Sequence, residues 1–222
     1  MEYTEYEIAF SPARFNKYLY ACNGNQSKAL QLYRYNIQLC QKFYGLLNVF
    51  EVVLRNAIDN HYKSQLSDND WIRTQLGTGG LLNYAPQRDK TQEFINKLIG
   101  SQSYTNDRVV SGVSFGFWPY LFTKKPYKLG GQNLLQIFPN RSKGVNQRKV
   151  YNDLQEIKNF RNRIAHHEPI CFNASGDLDL SGASNQFNLL NTYISYLGYS
   201  RADLCQDMDI MPDQVITKMK QL

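Results

Sequence analysis

Apolar residues in the first third of the chain recur at intervals of three and four positions between residues 27 and 66. That spacing places them on one face of a helix, whereas a half-buried strand would alternate apolar and polar residues. The segment is therefore predicted to form one long helix, or two helices with a kink near Gly45. The residues expected to face the core are Leu30, Tyr33, Ile37, Cys40 or Phe43, Leu47, Phe50, Leu54, Ala57 and His61.

Helix-capping residues and breakers delimit the neighbouring elements. Ser11 followed by Pro12 is a favourable N-cap and first-turn pair, which predicts a helix ending near Ala21. Ser27 is predicted to cap the long helix. An aromatic stretch at 111–128, interrupted by Gly and Pro, predicts short helices or, alternatively, a hairpin. Further helices are predicted at 87–99, 133–138, 145–167, 185–197, 200–203 and 212–222, with loops at 67–86 and 172–184.

These elements together predict an all-α fold, a helical bundle with additional short helices. The chain has 222 residues, which bounds it to one large domain or to one domain with appendages. A hydrophobic content of 42% and a charged content of 20% are ordinary for a globular protein. Most of the 16 Tyr and 12 Phe rings are expected in the core, although some could stack on nucleic-acid bases.

The cysteines and the N-terminus predict a cytoplasmic protein without a membrane span. Cys22, Cys40, Cys171 and Cys205 lie far apart and form no CxxC pair, so reduced thiols are expected and a zinc ribbon is not. The first five residues are acidic and lack the apolar region of a secretory signal. The most apolar-looking stretch, 46–58, is too short and too polar to cross a bilayer.

Positive charge is concentrated in one part of the chain. Residues 123–163 contain 10 Lys and Arg against 2 Asp and Glu, whereas residues 1–122 contain 12 against 10 and residues 164–222 contain 3 against 7. This bias indicates a polyanionic partner, with a solvated basic surface as the alternative. The basic residues before the motif described next are Lys124, Lys125, Lys128, Arg141, Lys143, Arg148 and Lys149.

A cluster of polar residues at 160–169 ends the predicted helix 145–167. Arg161, Asn162 and His166 place a guanidinium, a carboxamide and an imidazole within one and a half helical turns. Metal-free cleavage of an RNA phosphodiester needs a cation for the phosphate, a polar positioning group and a proton shuttle that works near neutral pH. The chain has 3 histidines, and two of them lie in this cluster.

Helical geometry makes Arg161 unusual. It falls within an apolar stripe formed by Val150, Leu154, Ile157 and Ile164, where a charged side chain is costly unless it is paired. Its partner could be a protein carboxylate or an external phosphate. A purely structural helix C-terminus is the alternative interpretation of the cluster: the helix dipole favours cations there, and Pro169 ends the helix.

A second polar row lies on the long helix. Glu51, Arg55 and Asp59 follow one another at intervals of four residues, with Asn56 beside Arg55. Ordinary helix ion pairs account best for Asp59. The apolar flanks of Glu51 predict that it is partly buried and that its carboxylate holds Arg161 or a neighbour of Arg161.

The ten residues 161–170 resemble the signature of Abi-like (abortive infection) proteins in the HEPN superfamily. Arg161, Asn162 and His166 match the superfamily motif of an arginine, a polar residue and a downstream histidine without a gap. Residues 50–58 resemble an earlier helix of that family, and the runs 33–36 and 114–118 also resemble it. The likeness covers about 12–172, so we expect a single domain over 1–222 with that core and a C-terminal helical extension at 185–222.

The resemblance implies a helical bundle that forms a homodimer, in which motif helices from two subunits build one RNA-cleaving cleft. It implies no metal and no cofactor. Many family members are toxins or phage-defence effectors. Some bind RNA without cutting it, and some work with a partner protein or a small RNA, so an antitoxin protein or RNA is a further expected partner.

The expected mechanism assigns a role to each motif residue. Arg161, with help from Arg163, binds the scissile phosphate, and Asn162 positions the ribose or His166. His166 acts as general base or acid while the 2′-hydroxyl attacks phosphorus, and His166 of a dimer mate takes the complementary role. The products carry 2′,3′-cyclic phosphate and 5′-hydroxyl ends. Residues expected to support the site or to contact RNA are Arg163, His167, Glu168, Glu51, Arg55, Arg148, Lys149 and Lys158.

Two other functions remain open at this stage. The first is a non-catalytic protein that holds a structured RNA through its basic segment and exposed tyrosines. The second is a structural helical module in which an Arg161–Glu51 pair fixes packing.

Overall fold

Helices make up the secondary structure of the computed structural model, which describes residues 3–83, 90–101 and 104–222. No β-strand occurs among these residues, which confirms the predicted all-α fold. The helices are α1 Tyr3–Phe10, α2 Pro12–Ala21, α3 Gln26–Leu66, α4 Trp71–Gln75, α5 Lys90–Ile99, α6 Asn106–Gly112, α7 Phe117–Tyr120, α8 Lys124–Leu129, α9 Gln147–Ala165, α10 Ser181–Tyr196, α11 Arg201–Leu204 and α12 Pro212–Lys220, with a 3₁₀ turn at Leu134–Ile137.

The chain divides into two compact units, each assembled from segments that are distant in sequence. Unit 1 comprises Met1–Asn48, Asn159–Asn191 and Cys205–Leu222, and unit 2 comprises Val49–Lys158 and Thr192–Leu204. Helices α3, α9 and α10 each contribute residues to both units. The expectation of one domain with a separate C-terminal extension stays a prediction.

Aromatic rings fill the core of unit 1. Phe15 of α2 packs against Tyr33 of α3, with ring centroids 4.7 Å apart, and Tyr18 meets Phe172 edge-on at 5.0 Å. The C-terminal segment packs into the same unit, where the Lys42 ammonium donates to the backbone oxygen of Asp209 at 3.0 Å. Helix α1, which the sequence pattern did not predict, adds further rings to this cluster.

Unit 2 buries a second aromatic core. Phe138 and Tyr193 meet edge-on with centroids 5.6 Å apart, and Trp118 is fully buried. The 111–128 stretch contains the end of α6, the short helix α7 and most of α8, so the short-helix prediction is confirmed. Trp71 is also fully buried, and it opens the short helix α4 within a segment that was predicted to be a loop.

Helix α3 is continuous over 41 residues and has no break at Gly45. A Cβ atom at Gly45 would lie 3.0 Å from Cδ1 of Ile210, so the glycine permits a close approach rather than a kink. The buried face also differs from the predicted one, because Ile37 is 37% exposed. The fully buried residues of the helix are Ala29, Leu32, Leu39, Phe43, Leu46, Phe50, Leu54, Ile58 and Tyr62.

The predicted start of α2 at Pro12 is confirmed, whereas the starts of α3 and α10 differ from the predicted ones. Helix α3 begins at Gln26, because the Asn25 side chain, and not Ser27, accepts a hydrogen bond from the backbone N–H of Lys28 at 3.0 Å. Ser11 precedes α2 with a φ of 77° and makes no side-chain capping bond. Helix α10 begins at Ser181, inside the predicted loop 172–184, because the Asp179 carboxylate accepts from the backbone N–H of Ser181 at 2.7 Å.

The remaining predicted helices agree with the structure in type. Residues 84–89, which include the predicted start of the 87–99 helix, lie outside the described residues. Among the described residues, no helix combines the length and the apolar character that a membrane crossing requires.

Candidate functional site

The C-terminal end of α9 carries the predicted motif and closes in a Schellman-type turn. The backbone N–H of His167 donates to the carbonyl of Ile164 at 3.0 Å, and that of Glu168 donates to the carbonyl of Arg163 at 2.9 Å. His167 occupies the position where glycine is usual and has a left-handed φ of 58°. Helix α9 therefore ends at Ala165, and His166 lies between the helix and the left-handed residue His167.

Contacts within unit 1 hold this turn in place. Nη2 of Arg163 donates to the carbonyl of Pro169 at 2.8 Å, and its Nε lies 3.4 Å from a carboxylate oxygen of Glu168. Nη2 of Arg14 donates to the carbonyl of His167 at 2.7 Å. Arg163 and Glu168 thus serve the helix end itself, which supports the capping interpretation for these two residues.

The other three motif residues are placed differently. Arg161 and Asn162 are half-buried and His166 is exposed. Within the described residues of unit 1, the side chains of Arg161, Asn162 and His166 have no hydrogen-bond or ion-pair partner. The backbone N–H of His166 donates to the carbonyl of Asn162 at 2.9 Å, so the residue after the helix keeps the helical hydrogen bond and the two side chains lie on one face.

The apolar stripe around Arg161 is buried as predicted. Leu154 and Ile157 are fully buried, and Ile164 is 7% exposed. A half-buried guanidinium within this stripe retains the capacity to bind an anion.

Asn36 supports the segment after the motif and was not singled out from the sequence as a functional residue. It is 3% exposed, and its side-chain oxygen accepts from the backbone N–H of Ile170 at 3.0 Å. The sequence did contain one indication of this role: Asn36 is a polar residue at a core-facing position of the helical repeat. Asn36 fixes the chain as it leaves the turn at His167.

A cavity of about 550 Å³ adjoins the motif within unit 1. Two of the side chains on its wall are substantially exposed, Ile37 at 37% and Tyr44 at 55%. Burial raises the pKa of the Cys40 thiol to about 11, although the positive charges of Arg163 and Arg14 lower this pKa in part. The lining residues are Ile37, Cys40, Gln41, Tyr44, Ile164, Ala165 and His167.

The sequence did not predict this cavity. Ile37 was assigned to the core-facing stripe of α3, and Tyr44 was not assigned a role. These two positions are seven residues apart and therefore share a helix face. That spacing was the only local sign of the cavity, since its other wall comes from the end of α9.

The remaining predicted site residues belong to unit 2 and differ in availability. Lys149 is 2.6 Å from the buried carboxylate of Asp153, which also accepts from the Tyr193 hydroxyl at 2.8 Å. Nη1 of Arg55 donates to the carbonyl of Ser111 at 3.5 Å, and its Nε is buried. Lys149 and Arg55 therefore have structural contacts.

Arg148 is exposed and Lys158 is half-buried with its side chain against Gly116. Arg148 therefore remains available to a polyanion. Glu51 is half-buried, as expected, but it belongs to unit 2 and Arg161 belongs to unit 1. Their pairing stays a prediction.

The formal charge is divided unequally between the units. Unit 2 contains 16 Lys and Arg against 10 Asp and Glu, whereas unit 1 contains 9 of each, so the net charge of +6 lies entirely in unit 2. Arg141 hydrogen-bonds to the carbonyls of Val145 and Leu135 at 2.8 and 3.0 Å and is part of the scaffold. The exposed cations between residues 123 and 158 are Lys124, Lys125, Lys128, Lys143, Arg148 and Lys149, of which Lys149 pairs with Asp153.

The fold and the motif define an all-α protein with an Arg–Asn–His constellation at a helix end. No family model matches the chain, and neither curated proteins nor solved structures match it. The likeness of residues 161–170 to Abi-like HEPN proteins therefore stays a prediction from those residues.

Proposed function

We propose that this chain is a metal-independent endoribonuclease of the Abi-like HEPN type. One observation carries the proposal: Arg161, Asn162 and His166 have no partner within the described residues of unit 1, whereas the adjacent Arg163 and Glu168 are used to close the helix. A helix-capping role for the whole cluster would predict contacts of Arg161 with the turn as well, because a half-buried cation in an apolar stripe needs a partner. The structural alternative that remains is the pairing of Arg161 with Glu51, which stays a prediction.

The chemistry divides between these three residues. Arg161 binds the scissile phosphate and stabilises the charge that develops on its non-bridging oxygens. His166 accepts the proton of the 2′-hydroxyl as its oxygen bonds to phosphorus and the bond from phosphorus to the 5′-oxygen breaks. A second imidazole protonates that leaving oxygen, and His166 of a second copy of the chain supplies it. The products are a 2′,3′-cyclic phosphate and a 5′-hydroxyl.

The charge distribution supports RNA as the polyanion. The exposed lysines and Arg148 of unit 2 provide the sequence-independent attraction to phosphate that RNA-binding proteins require. In this proposal the protein acts in the cytoplasm as a toxin or phage-defence effector, restrained by a partner protein or RNA.

Cleavage of end-labelled RNA in the presence of EDTA tests the proposal. The parent protein should produce 2′,3′-cyclic phosphate ends, and His166→Ala should reduce the rate at least 100-fold while RNA binding is retained. Arg161→Ala should reduce both cleavage and affinity. Arg163→Ala is the matched control. It should lower the thermal unfolding midpoint, because Arg163 closes the helix end, but it should have little effect on the cleavage rate at a temperature where the variant remains folded.

The outcome that contradicts the proposal is specific. A folded His166→Ala variant that cleaves as fast as the parent would assign any activity in the preparation to another site or to a contaminant. Absence of cleavage by the parent protein together with tight RNA binding would favour the alternative function discussed next.

The alternative is a protein that holds RNA without cutting it, and the charge of unit 2 favours it independently of the motif. The net charge of +6 lies in a unit that contains none of Arg161, Asn162 and His166. In that case the affinity for RNA should depend on Arg148 and fall steeply as the salt concentration rises, whereas His166→Ala should leave the affinity for RNA unchanged.

A further inference from the structure

We propose that the cavity beside the motif is a subsite for one unpaired nucleobase of the RNA substrate, an inference that rests on the proposed function. The cavity lies between α3 and the end of α9, and all of its lining residues belong to unit 1. Its volume of about 550 Å³ falls within the range of small-molecule binding sites.

The position of the cavity relative to the motif comes from helix geometry. Ala165 lines the cavity, and Arg161 lies four residues earlier on the same face of α9. His166 is the residue directly after Ala165. A phosphate bound by Arg161 would therefore lie at the rim of the cavity, and the base of the same or the adjacent nucleotide is the group that could enter it.

The side chains of the cavity suit a base. Tyr44 offers a ring that is 55% exposed, and aromatic rings stack on any base because every base has a π-face. Ile37 and Ile164 provide apolar walls. Gln41 is exposed, and its carboxamide has no partner within the described residues of unit 1, so it can donate and accept hydrogen bonds at the edge of a base.

The wall at His167 is fixed before any ligand binds. The left-handed φ of 58° directs this residue away from the helical path, and Arg14 holds its carbonyl at 2.7 Å. Arg14 and Arg163, which donate to the carbonyls of His167 and Pro169, place positive charge beside this wall, which favours the phosphate of a bound nucleotide. A preformed wall reduces the entropy that would be lost when a base binds.

Binding of two oligomers that cannot be cleaved tests the subsite separately from catalysis. The probes are a fluorescein-labelled, fully 2′-O-methylated decamer of adenosine and an abasic decamer with the same backbone. The parent protein should bind the base-bearing decamer about tenfold more tightly than the abasic one, because stacking is the main difference between them. Tyr44→Ala should abolish most of this preference, and Gln41→Ala should reduce it about threefold, without changing affinity for the abasic decamer.

Tyr20→Ala is the matched control, since Tyr20 is 78% exposed, lies in unit 1 and does not line the cavity. If Tyr44→Ala keeps the preference of the parent protein, the subsite is refuted, while metal-free cleavage by the parent would still support the proposed function. If the parent binds neither decamer and cleaves no RNA, both proposals fail. A Tyr44→Ala change in sedimentation mass, with base preference intact, would identify the cavity as an interface between copies and overturn the subsite.

Discussion

At the scale of single residues, His167 has a backbone conformation that its side chain disfavours. A non-glycine residue with a φ of 58° is strained, and glycine is the usual residue at this position of a Schellman turn. His167→Gly should therefore stabilise the fold by about 0.5–1 kcal/mol, measured as a higher midpoint in urea or thermal unfolding.

Asn23→Gly provides the comparison for this prediction. Asn23 has a φ of 52°, but the short polar side chain of asparagine can hydrogen-bond locally in the left-handed region, so its replacement should change stability less. An unfolding midpoint for His167→Gly at or below that of the parent would show that the histidine side chain compensates for the strain.

The same scale shows what local sequence could and could not predict. Arg161, Asn162 and His166 were found because their spacing on one helix is a local property. Tyr44 and Gln41 were missed because a cavity depends on two segments that are more than 100 residues apart in sequence. Ile37 was assigned to the core because a period of 3.6 residues fits two overlapping faces of a helix almost equally well.

At the scale of elements, Asp59 joins α3 to the segments that follow it. Its Oδ1 accepts from Nε1 of Trp71 at 2.8 Å and from Nδ2 of Asn106 at 2.9 Å, while Lys63 lies 2.7 Å from Oδ2. The residue is 6% exposed. Removing this carboxylate would leave buried donors without a partner, so Asp59→Ala should lower the free energy of unfolding by about 3 kcal/mol.

Asp107→Ala is the control for Asp59→Ala. Asp107 also pairs with Lys63, at 3.2 Å, but its side chain is 85% exposed, and an exposed ion pair contributes about 0.5 kcal/mol or less. Equal effects of the two substitutions in chemical denaturation would contradict the central role of the Asp59 carboxylate.

Elements were predictable where amphipathic spacing was strong. The long helix α3 and the motif helix α9 were found, because their apolar residues recur on one face over many turns. Their exact ends were less predictable, since Asn25 and Ser27 are both good N-caps and only the three-dimensional contact of Asn25 decides between them. Helix α1 was missed because its eight residues are only weakly amphipathic. Asp59 was assigned to an ordinary ion-pair row because the positions of Trp71 and Asn106 follow from tertiary packing.

At the scale of the whole molecule, buried acidic groups make stability depend on alkaline pH. Burial raises the pKa of Cys40 from 9.0 to about 11 and that of Cys171 from 9.0 to about 12, and it also raises the pKa of Tyr18 and Tyr62. The folded state therefore holds the thiol protons more tightly than the unfolded state does. Their contribution to stability is complete below pH 9 and is lost progressively as the pH rises toward 11 and 12.

Urea unfolding at pH 7, 9 and 10.5 under reducing conditions measures this loss. The free energy of unfolding should fall above pH 9, and a Cys40→Ser/Cys171→Ser variant should show a shallower fall between pH 9 and 10.5, because Cys22 and the tyrosines with raised pKa values still contribute but Cys40 and Cys171 do not. A free energy that stays constant over this range would contradict the burial of both thiols.

The division into two units could not be predicted from sequence. Unit 1 draws on segments that are separated by more than 100 residues and unit 2 on segments on either side of residues 159–191, and composition changes little at the points where the chain leaves one unit for the other. Only the concentration of basic residues at 123–163 indicated that the two units differ, because most of the excess positive charge of this segment belongs to unit 2.

The interleaved course of the chain has a consequence for its synthesis. Unit 1 needs its first 48 residues together with Cys205–Leu222, so a ribosome must translate almost all of these 222 residues before that unit can complete its core. Nascent α2 and the first half of α3 meanwhile expose aromatic rings that are buried after folding. Arg161 and His166 consequently gain their native surroundings only after residues Cys205–Leu222 have been translated, more than 35 residues after His166 itself.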